Sequence, residues 1–329
     1  MSKKFQFIML FLSVLLVTAC GSNESSKTDS EHKLRIGVTQ NEKNAEYKGL
    51  EQFKDAVESR TDGEVEIELY HSDQLANIPD LIEQASVGTN VGTIVDGGVL
   101  GDIKEEFYIM QSPYMFKDIE EIDQFLESDL FDEWVTELSE EGLMILSFNW
   151  NLGERNLATK KKIESVEDVK GTVIRTNGSD IVDSTISAMG GSPSGMPWSE
   201  AYPGLEQGVI DGVEAHNLAI YESSMYEVIN HIAKTNHYQL LSSLTVSADW
   251  FNNLPDDYQS IVLEEAILAG EYGSELAKES SEEYEQNMKD EGIEFHQVDR
   301  EKFKELTKEV YPSLDLEETR QQVLDVLEK

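Results

Sequence analysis

Two arginines near the middle of the chain, Arg155 and Arg175, are the side chains whose type and spacing best suit binding chemistry. The 329-residue chain has 65 Asp and Glu, 26 Lys and Arg, and only six arginines, and these two lie twenty residues apart. A guanidinium group is planar, stays charged and matches the two oxygens of a carboxylate. Taken alone, however, the residue type favours a structural ion pair with one of the many acidic side chains.

The formal net charge of −39 at pH 7 restricts the partners of the protein. An acidic surface repels nucleic acid and anionic lipid headgroups, and the sequence has no basic stretch that offers an exception. We therefore expect no nucleic-acid partner. If the protein binds an anion, it must do so in a locally positive pocket.

The motifs of common enzymes and cofactor sites are absent from the sequence. It contains no nucleophile elbow, HExxH, P-loop or GxGxxG. The histidines show no metal-ligand spacing beyond a loose pair, His231 and His237, and the single cysteine, Cys20, offers no metal site. The histidines are His32, His71, His216, His231, His237 and His296. The sequence therefore predicts no catalytic residue, no metal site and no cofactor.

The amino terminus predicts export from the cytoplasm. Residues 1–19 are typical of a signal peptide, with a basic start followed by an apolar run too short to span a bilayer comfortably. Cys20 follows "LVTA", an arrangement that resembles the bacterial lipobox. This resemblance implies a lipid anchor (diacylglyceryl and palmitate) on Cys20 at the outer face of the bacterial cell membrane, with residues 20–32 as a flexible tether. The alternative is an ordinary signal peptide with an incidental cysteine.

From residue 33 onward, strand-like and helix-like patterns alternate. The stretches "KLRIGV" (33–38) and "EVEIELY" (64–70) predict strands, and the apolar spacing over 44–61 predicts a helix between them. This order indicates an α/β fold with a largely parallel sheet. Residues 255–291 keep apolar positions at helical spacing, which predicts a helix of roughly 50 Å that is long enough to brace two domains.

An ordered series of motifs lies between residues 154 and 217. It contains "DVKGTVIR", which ends at Arg175, then "AMGGSP" and "PWSEAYPGLEQGVIDG". Together with "NWNLGER" around Arg155, these motifs resemble the substrate-binding component of TRAP transporters (tripartite ATP-independent periplasmic transporters). The similarity covers essentially the whole mature chain.

This resemblance implies a two-domain clamshell of the periplasmic-binding-protein type. The first domain would comprise residues 33–152 and about 240–329, including the bracing helix 255–291, and the second domain residues 153–239. A small organic anion would bind in the cleft as the two domains close by a hinge motion. The closed receptor would deliver this solute to membrane permease subunits that an ion gradient drives, without any reaction on the solute.

The two arginines then take roles that the family implies. By its position in the motif, Arg175 would bind the carboxylate of the ligand as a two-pronged salt bridge. Arg155 matches the second, semi-constant arginine of the family, which either touches the ligand or holds the pocket. These roles make Arg175 the local positive charge that the acidic chain otherwise lacks.

Four further residues are candidates for the pocket. Many family members carry an Asn where this chain has Ala215, which argues against sialic acid as the ligand; His216 or Asn217 could supply the missing polar contact. Trp198 could form an apolar wall of the pocket or belong to the core. Gln40, in the loop after the first strand, is a further pocket candidate.

Three other functions remain compatible with export. An ABC-type solute receptor would lack the motif series, whereas a receptor that serves a sensor kinase would keep it. A lipid-anchored enzyme acting on a carboxylate would need a nucleophile and a base, and the sequence shows no such pair. Monocarboxylates, C4-dicarboxylates, keto acids and ectoine all offer a carboxylate to Arg175, so the sequence leaves the solute open.

Overall fold

The computed structural model describes residues 32–328, so the predicted signal peptide, Cys20 and nearly all of the predicted tether lie outside the described residues. The strands are β1 (His32–Gly37), β2 (Val65–Tyr70), β3 (Val91–Asp96), β4 (Leu143–Glu154), β5 (Asn156–Thr159), β6 (Val173–Thr176), β7 (Ser192–Gly195), β8 (Gly212–Ala215), β9 (His231–Lys234), β10 (Gln239–Ser247) and β11 (Glu294–Gln297). The helices are α1 (Ala45–Arg60), α2 (Ile78–Ser86), α3 (Gly97–Gly101), α4 (Ile119–Leu126), α5 (Asp129–Glu140), α6 (Val166–Val169), α7 (Asp180–Ala188), α8 (Trp198–Gln207), α9 (Asn217–Glu222), α10 (Ala248–Asn252), α11 (Asp256–Asp290), α12 (Arg300–Thr307), α13 (Val310–Ser313) and α14 (Glu317–Leu327). Two 3-10 helices span Glu105–Gln111 and Met225–Glu227.

The first sheet has the strand order β2–β1–β3–β10–β4. β1 is parallel to β2 and β3, whereas β10 is antiparallel to both β3 and β4. Successive residues of a strand point to opposite faces, and Ile94 and Val95 accordingly join two different apolar clusters, one with Phe53 and one with Phe107. The sheet is mixed rather than largely parallel, because the chain returns to it as β10 after passing through the second sheet.

The second sheet has the strand order β11–β9–β5–β8–β6–β7. β6 is parallel to β7 and β8, and β5 is antiparallel to β8 and β9. The chain reaches this sheet between β4 and β5 and leaves it between β9 and β10. These two connections bond to each other: the Arg155 amide donates to the Tyr238 carbonyl at 2.9 Å, and the His237 amide donates to the Arg155 carbonyl at 3.3 Å. Arg155 is therefore fixed at the junction of the two domains.

The long helix α11 confirms the helix predicted over residues 255–291. Its 35 residues span roughly 52 Å at 1.5 Å per residue. Ala266 near its start packs in the apolar core of the first domain, and Met288 near its end packs in the core of the second. Close packing against β4 depends on Gly270, where an added Cβ would lie 1.9 Å from Asn149 Oδ1. The helix therefore braces both domains, as the sequence predicted.

The segment after α11 corrects the predicted domain boundaries. The sequence predicts that residues from about 240 to 329 belong to the first domain, but β11 pairs in parallel with β9 at the edge of the second sheet. Phe303 of α12 lies in an apolar cluster of the second domain with Leu157 and Ile174. Tyr311 and Val323, further along the chain, pack again in a cluster of the first domain. The physical reason is the length of α11, which carries the chain beyond the domain junction before it turns back.

Within residues 32–328, no helix combines the length and the apolar character that crossing a membrane requires.

Candidate ligand-binding site

Arg175 lies in β6, between β7 and β8 in the second sheet. Its side chain is buried, with 5% of the residue exposed. The Nε and Nη2 atoms both donate to the main-chain carbonyl of Met196, at 3.0 and 2.7 Å. The guanidinium also lies over the ring of Trp198, with Cζ 5.0 Å from the ring centroid. One edge of the guanidinium is thus fixed by backbone, and one face is covered by an aromatic ring.

The positive charge of Arg175 has no acidic partner in the part of the chain that the structure describes. Among residues 32–328, Arg175 forms no ion pair, and its Nη1 makes no hydrogen bond. Burial, together with the nearby Arg155 charge, lowers the pKa of Arg175 to about 10, so the group still carries its charge at neutral pH. Burying a charge that has no counter-ion costs free energy. Within the described residues, Arg175 is thus a buried cation whose Nη1 donors are unused.

Arg155 has a different environment, because Glu214 of β8 neutralises it. Nε and Nη2 of Arg155 donate to the two carboxylate oxygens of Glu214, and Nη2 also donates to the Glu214 carbonyl at 2.9 Å. Although burial acts to raise it, the Arg155 charge holds the pKa of the Glu214 carboxyl well below its usual range. His237 adds a contact to Glu214, with Nε2 3.5 Å from Oε1. Of the two roles predicted for Arg155, this geometry favours holding the pocket.

His216 joins the same network. Nδ1 of His216 lies 3.1 Å from Nη1 of Arg155. Burial, with the Arg155 charge as a second cause, lowers the pKa of His216 to about 3, so the ring is neutral at physiological pH. Since arginine can only donate, Nδ1 is the acceptor, and the proton of the neutral ring is on Nε2. His216 can therefore offer one further N–H to a bound molecule.

Asn217, the neighbouring candidate, lies at the start of α9. Its Nδ2 donates to Glu285 Oε2 at 3.4 Å, a long hydrogen bond to α11. Its Oδ1 is buried and has no hydrogen-bond partner within the described part of the chain. The Asn217 Nδ2 thus bonds to the bracing helix, whereas Oδ1 is an acceptor without a partner among the described residues.

The last two predicted residues, Trp198 and Gln40, have different surroundings. Trp198 is half-buried at the start of α8; it covers Arg175, and its Nε1 donates to Ser223 Oγ at 2.9 Å. Gln40 accepts a hydrogen bond from the Ser72 amide through its main-chain carbonyl. Within residues 32–328, no hydrogen bond or ion pair joins the Gln40 side chain to either arginine. Trp198 therefore lies beside Arg175, whereas Gln40 makes no such contact among the described residues.

The first domain contributes residues that sequence reasoning missed. Asp96 at the end of β3 caps α3 by accepting from the Gly98 and Val99 amides, at 3.0 and 3.1 Å. It also accepts from Asn177 Nδ2 of the second domain at 3.3 Å. Burial raises the pKa of Asp96, and its charge acts on both arginines. Asp96 therefore faces the arginine cluster from the opposite domain.

Gln111 lies next to this contact and is almost completely buried, with 1% exposed. Neither of its amide atoms makes a hydrogen bond of good geometry with the residues described, although the amide lies close enough to Asp96 to lower the pKa of that carboxyl. An added Cβ at Gly98 would lie 2.2 Å from Gln111 Oε1 and 2.7 Å from Ser179 Oγ. Glycine is therefore required where the two domains approach each other, and Gln111 presents unsatisfied polar atoms there. No local motif marks Gln111 in the sequence.

A second contact between the domains is acidic. Asn44, the N-cap of α1, donates through Nδ2 to Glu222 Oε2 of α9 at 2.5 Å. Beside it, Glu46 is buried, and burial together with the charges of Glu222 and Asp96 raises the pKa of Glu46 to about 8. Burial also raises the pKa of Glu222. Burial therefore disfavours the charged form of both carboxyl groups where the two domains meet.

A wide groove of about 1140 Å³ lies elsewhere, between β4, α11 and the carboxyl-terminal helices. Its lining includes Asn151, Glu154, Arg300 and Arg320, and it does not include Arg175. Arg155 and Arg175 are themselves buried, with 8% and 5% of each residue exposed.

Comparisons with known proteins agree with this arrangement. The family model for "Bacterial extracellular solute-binding protein, family 7" (DctP) matches residues 36–317. The chain belongs to this family. It is a TRAP solute-binding protein, so the predicted receptor class and the two-domain α/β clamshell are confirmed. The family consists of extracytoplasmic substrate-binding receptors.

Individual relatives support the same assignment. A solute-binding protein from Chromohalobacter salexigens is 31% identical over 254 residues, which are 77% of this chain and 75% of the relative. A TRAP periplasmic solute-binding protein from Escherichia fergusonii, solved in an open form without ligand, is 36% identical with a TM-score of 0.80 over 89% of this chain and 99% of that chain. A TRAP periplasmic solute-binding protein from Ochrobacterium anthropi, solved with bound L-fuconate, is 30% identical with a TM-score of 0.85. This match covers 90% of this chain and 99% of that chain.

Proposed function

We propose that this receptor binds a small carboxylate through Arg175 in the cleft between its domains. The observation that carries the proposal is the buried guanidinium without an ion pair among residues 32–328. Arg155 is already neutralised by Glu214, so an incoming carboxylate is best compensated at Arg175. The Trp198 ring limits the approach to one side and orients the carboxylate in the plane of the guanidinium.

The rest of the ligand carries hydroxyl groups. Gln111 and Asp96 face the arginine cluster from the first domain with unsatisfied or acceptor atoms, and His216 offers an N–H. Such groups bind hydroxyl groups, which both donate and accept. A sugar acid has a carboxylate at one end and hydroxyl groups along its chain, and a solved relative holds L-fuconate. The candidate class is therefore the sugar acids, ahead of purely apolar monocarboxylates.

Delivery and anchoring complete the proposed function. The closed receptor passes its ligand to the membrane permease subunits of a TRAP transporter, and the ion gradient drives uptake. The lipid on Cys20 holds the receptor at the outer face of the cell membrane. The support for the anchor is the sequence around Cys20, since this residue lies outside the described part of the chain.

A thermal-shift and calorimetric comparison of matched ligands tests the proposal. D-Glucuronate and D-glucose, or the open-chain pair L-fuconate and L-fucitol, differ mainly in the carboxylate. At 100 times its dissociation constant, a true ligand adds about 2.7 kcal/mol of stability. We expect at least one sugar acid to stabilise the protein, while its neutral partner does not.

Arg175→Ala removes the guanidinium that is proposed to bind the carboxylate. We expect a loss of about 2–5 kcal/mol of binding free energy, which raises Kd by at least about 30-fold. The control is Arg60→Ala, which removes an exposed arginine at the end of α1 that is paired with Glu264 and Glu265 near the start of α11. Equal affinity in the Arg175→Ala and wild-type proteins would overturn the assignment of the anchor. Binding of glucose as tightly as glucuronate would overturn the carboxylate requirement.

A further inference from the structure

Three possible metal ligands meet at the outer edge of the second sheet. β11 forms the edge of this sheet and pairs in parallel with β9, with Glu294 opposite His231. Residues two apart in a strand point to the same face, so His296 lies on the same face of β11 as Glu294. Register and alternation together place two imidazoles and one carboxylate side by side.

The distances between the three donor atoms fit a single metal ion. Nδ1 of His231 lies 3.1 Å from Nε2 of His296, and Glu294 Oε2 lies 3.5 Å from each of these nitrogens. A tetrahedral zinc ion with bonds of about 2.0–2.1 Å requires its ligand atoms to be about 3.3–3.4 Å apart. The three measured separations bracket this value, so one ion can contact all three atoms with little movement of the side chains.

We propose that His231, Glu294 and His296 bind a divalent transition-metal ion, with Zn²⁺ the best match. Two neutral imidazoles and one carboxylate are the ligand set of open zinc sites, in which a water molecule takes the fourth position. The two histidines are mostly buried, with side chains 19% and 12% exposed, whereas the Glu294 side chain is 62% exposed. The histidines are therefore held by the sheet, and the open side of the site faces the solvent, from which an ion can enter.

One neighbouring charge opposes a cation at this position. Lys162 acts electrostatically on His296, and its ammonium is paired with Glu164 at 2.8 Å. With Glu294 and Glu164 both carrying negative charge, the local balance remains favourable for a divalent ion. We therefore expect Lys162→Gln to tighten metal binding, because this substitution removes a repulsive charge and leaves all three ligands in place.

The ion would connect segments that are distant in sequence. His231 and His296 are 65 residues apart, and β11 follows α11, the helix that braces both domains. A metal bridge would fasten the returning chain to the second sheet at the end of this brace. The site is separate from the Arg175 cluster, so the proposal does not depend on the identity of the organic ligand.

Metal titration of the purified, chelator-treated protein tests the proposal. We expect one equivalent of Zn²⁺ to bind, as measured by calorimetry in the presence of excess Mg²⁺ to suppress loose binding to the acidic surface. Co²⁺ in the same site should give the intense visible absorption of a four-coordinate ion. His231→Asn, His296→Gln and Glu294→Gln should each weaken Zn²⁺ binding by at least about tenfold, since even changes next to metal ligands cost that much.

The control variant is His71→Gln. His71 also lies near a glutamate, Glu42, at 3.9 Å, but within residues 32–328 no second histidine completes a metal-ligand group with it. Glu294 is exposed, so Glu294→Gln tests the site even if a histidine variant fails to fold. The proposal is overturned by the absence of stoichiometric Zn²⁺ binding, by a weak octahedral Co²⁺ spectrum, or by unchanged affinity in Glu294→Gln; the two histidines would then share only a hydrogen bond.

Discussion

The guanidinium of Arg155 and the carboxylate of Glu214 form a buried, two-pronged ion pair at the junction of the two domains. Glu214 is fully buried, and Arg155 is held on both sides by backbone hydrogen bonds to the strand connection at residues 237 and 238. The pair removes Arg155 from competition for the ligand charge.

Glu214→Gln should strongly destabilise the protein, because it leaves the Arg155 charge buried without a counter-ion. Removal of one partner from a buried pair costs about 3–5 kcal/mol. Urea denaturation followed by circular dichroism measures this loss. The matched control is Glu264→Gln at the exposed Arg60 pair, where we expect a change below about 1 kcal/mol. A loss at Glu214 no larger than that at Glu264 would show that the pair is solvated.

The pH dependence of stability should reveal Glu46. Its pKa is raised from 4.5 to about 8 in the folded protein, so between these values the folded state holds a proton that the unfolded chain has lost. Stability therefore falls as pH rises from about 4.5 to about 8 and then levels off, with a slope of at most about 1.4 kcal/mol per pH unit from this group. Denaturant unfolding at a series of pH values measures the slope.

Glu46→Gln should reduce that slope and raise stability at pH 8 relative to the wild type, since the variant has no charge to bury. Glu51→Gln, an exposed position on the same helix, controls for the general loss of one negative charge from a very acidic protein. Identical slopes in the two variants would mean that Glu46 has an ordinary pKa and that overall charge repulsion causes the trend.

Gln111→Leu should separate ligand binding from folding. The amide of Gln111 is buried without a well-formed hydrogen bond among residues 32–328, so its removal at similar volume should leave the stability of the free protein unchanged or higher. If Gln111 binds a hydroxyl group of the ligand, Kd should rise by about 5–30-fold, which corresponds to about 1–2 kcal/mol. Calorimetry with the best sugar acid measures this change, and Gln74→Leu on the exposed surface is the control. Unchanged affinity would place Gln111 outside the site.

The sequence by itself determined the family, the fold class and Arg175 as the candidate for binding a carboxylate. The motif series around Arg175 is local and ordered, so it identifies the receptor class without any knowledge of the packing. The apolar spacing over residues 255–291 predicted α11 for a similar reason, since helical periodicity is a property of neighbouring residues.

Tertiary structure decided which residues meet across long separations. The chain has 65 acidic residues, and no local pattern marks Glu214 as the partner of Arg155 or Gln111 as an unsatisfied amide beside Asp96. Sequence spacing suggested His231 with His237, but the parallel register of β9 and β11 brings His296 to His231 instead. Such pairings depend on strand order and on the length of α11. The length of α11 also placed β11 in the second domain. Contacts between segments that are distant in sequence follow from how the helices and strands pack, and the residues next to each segment in the sequence do not reveal them.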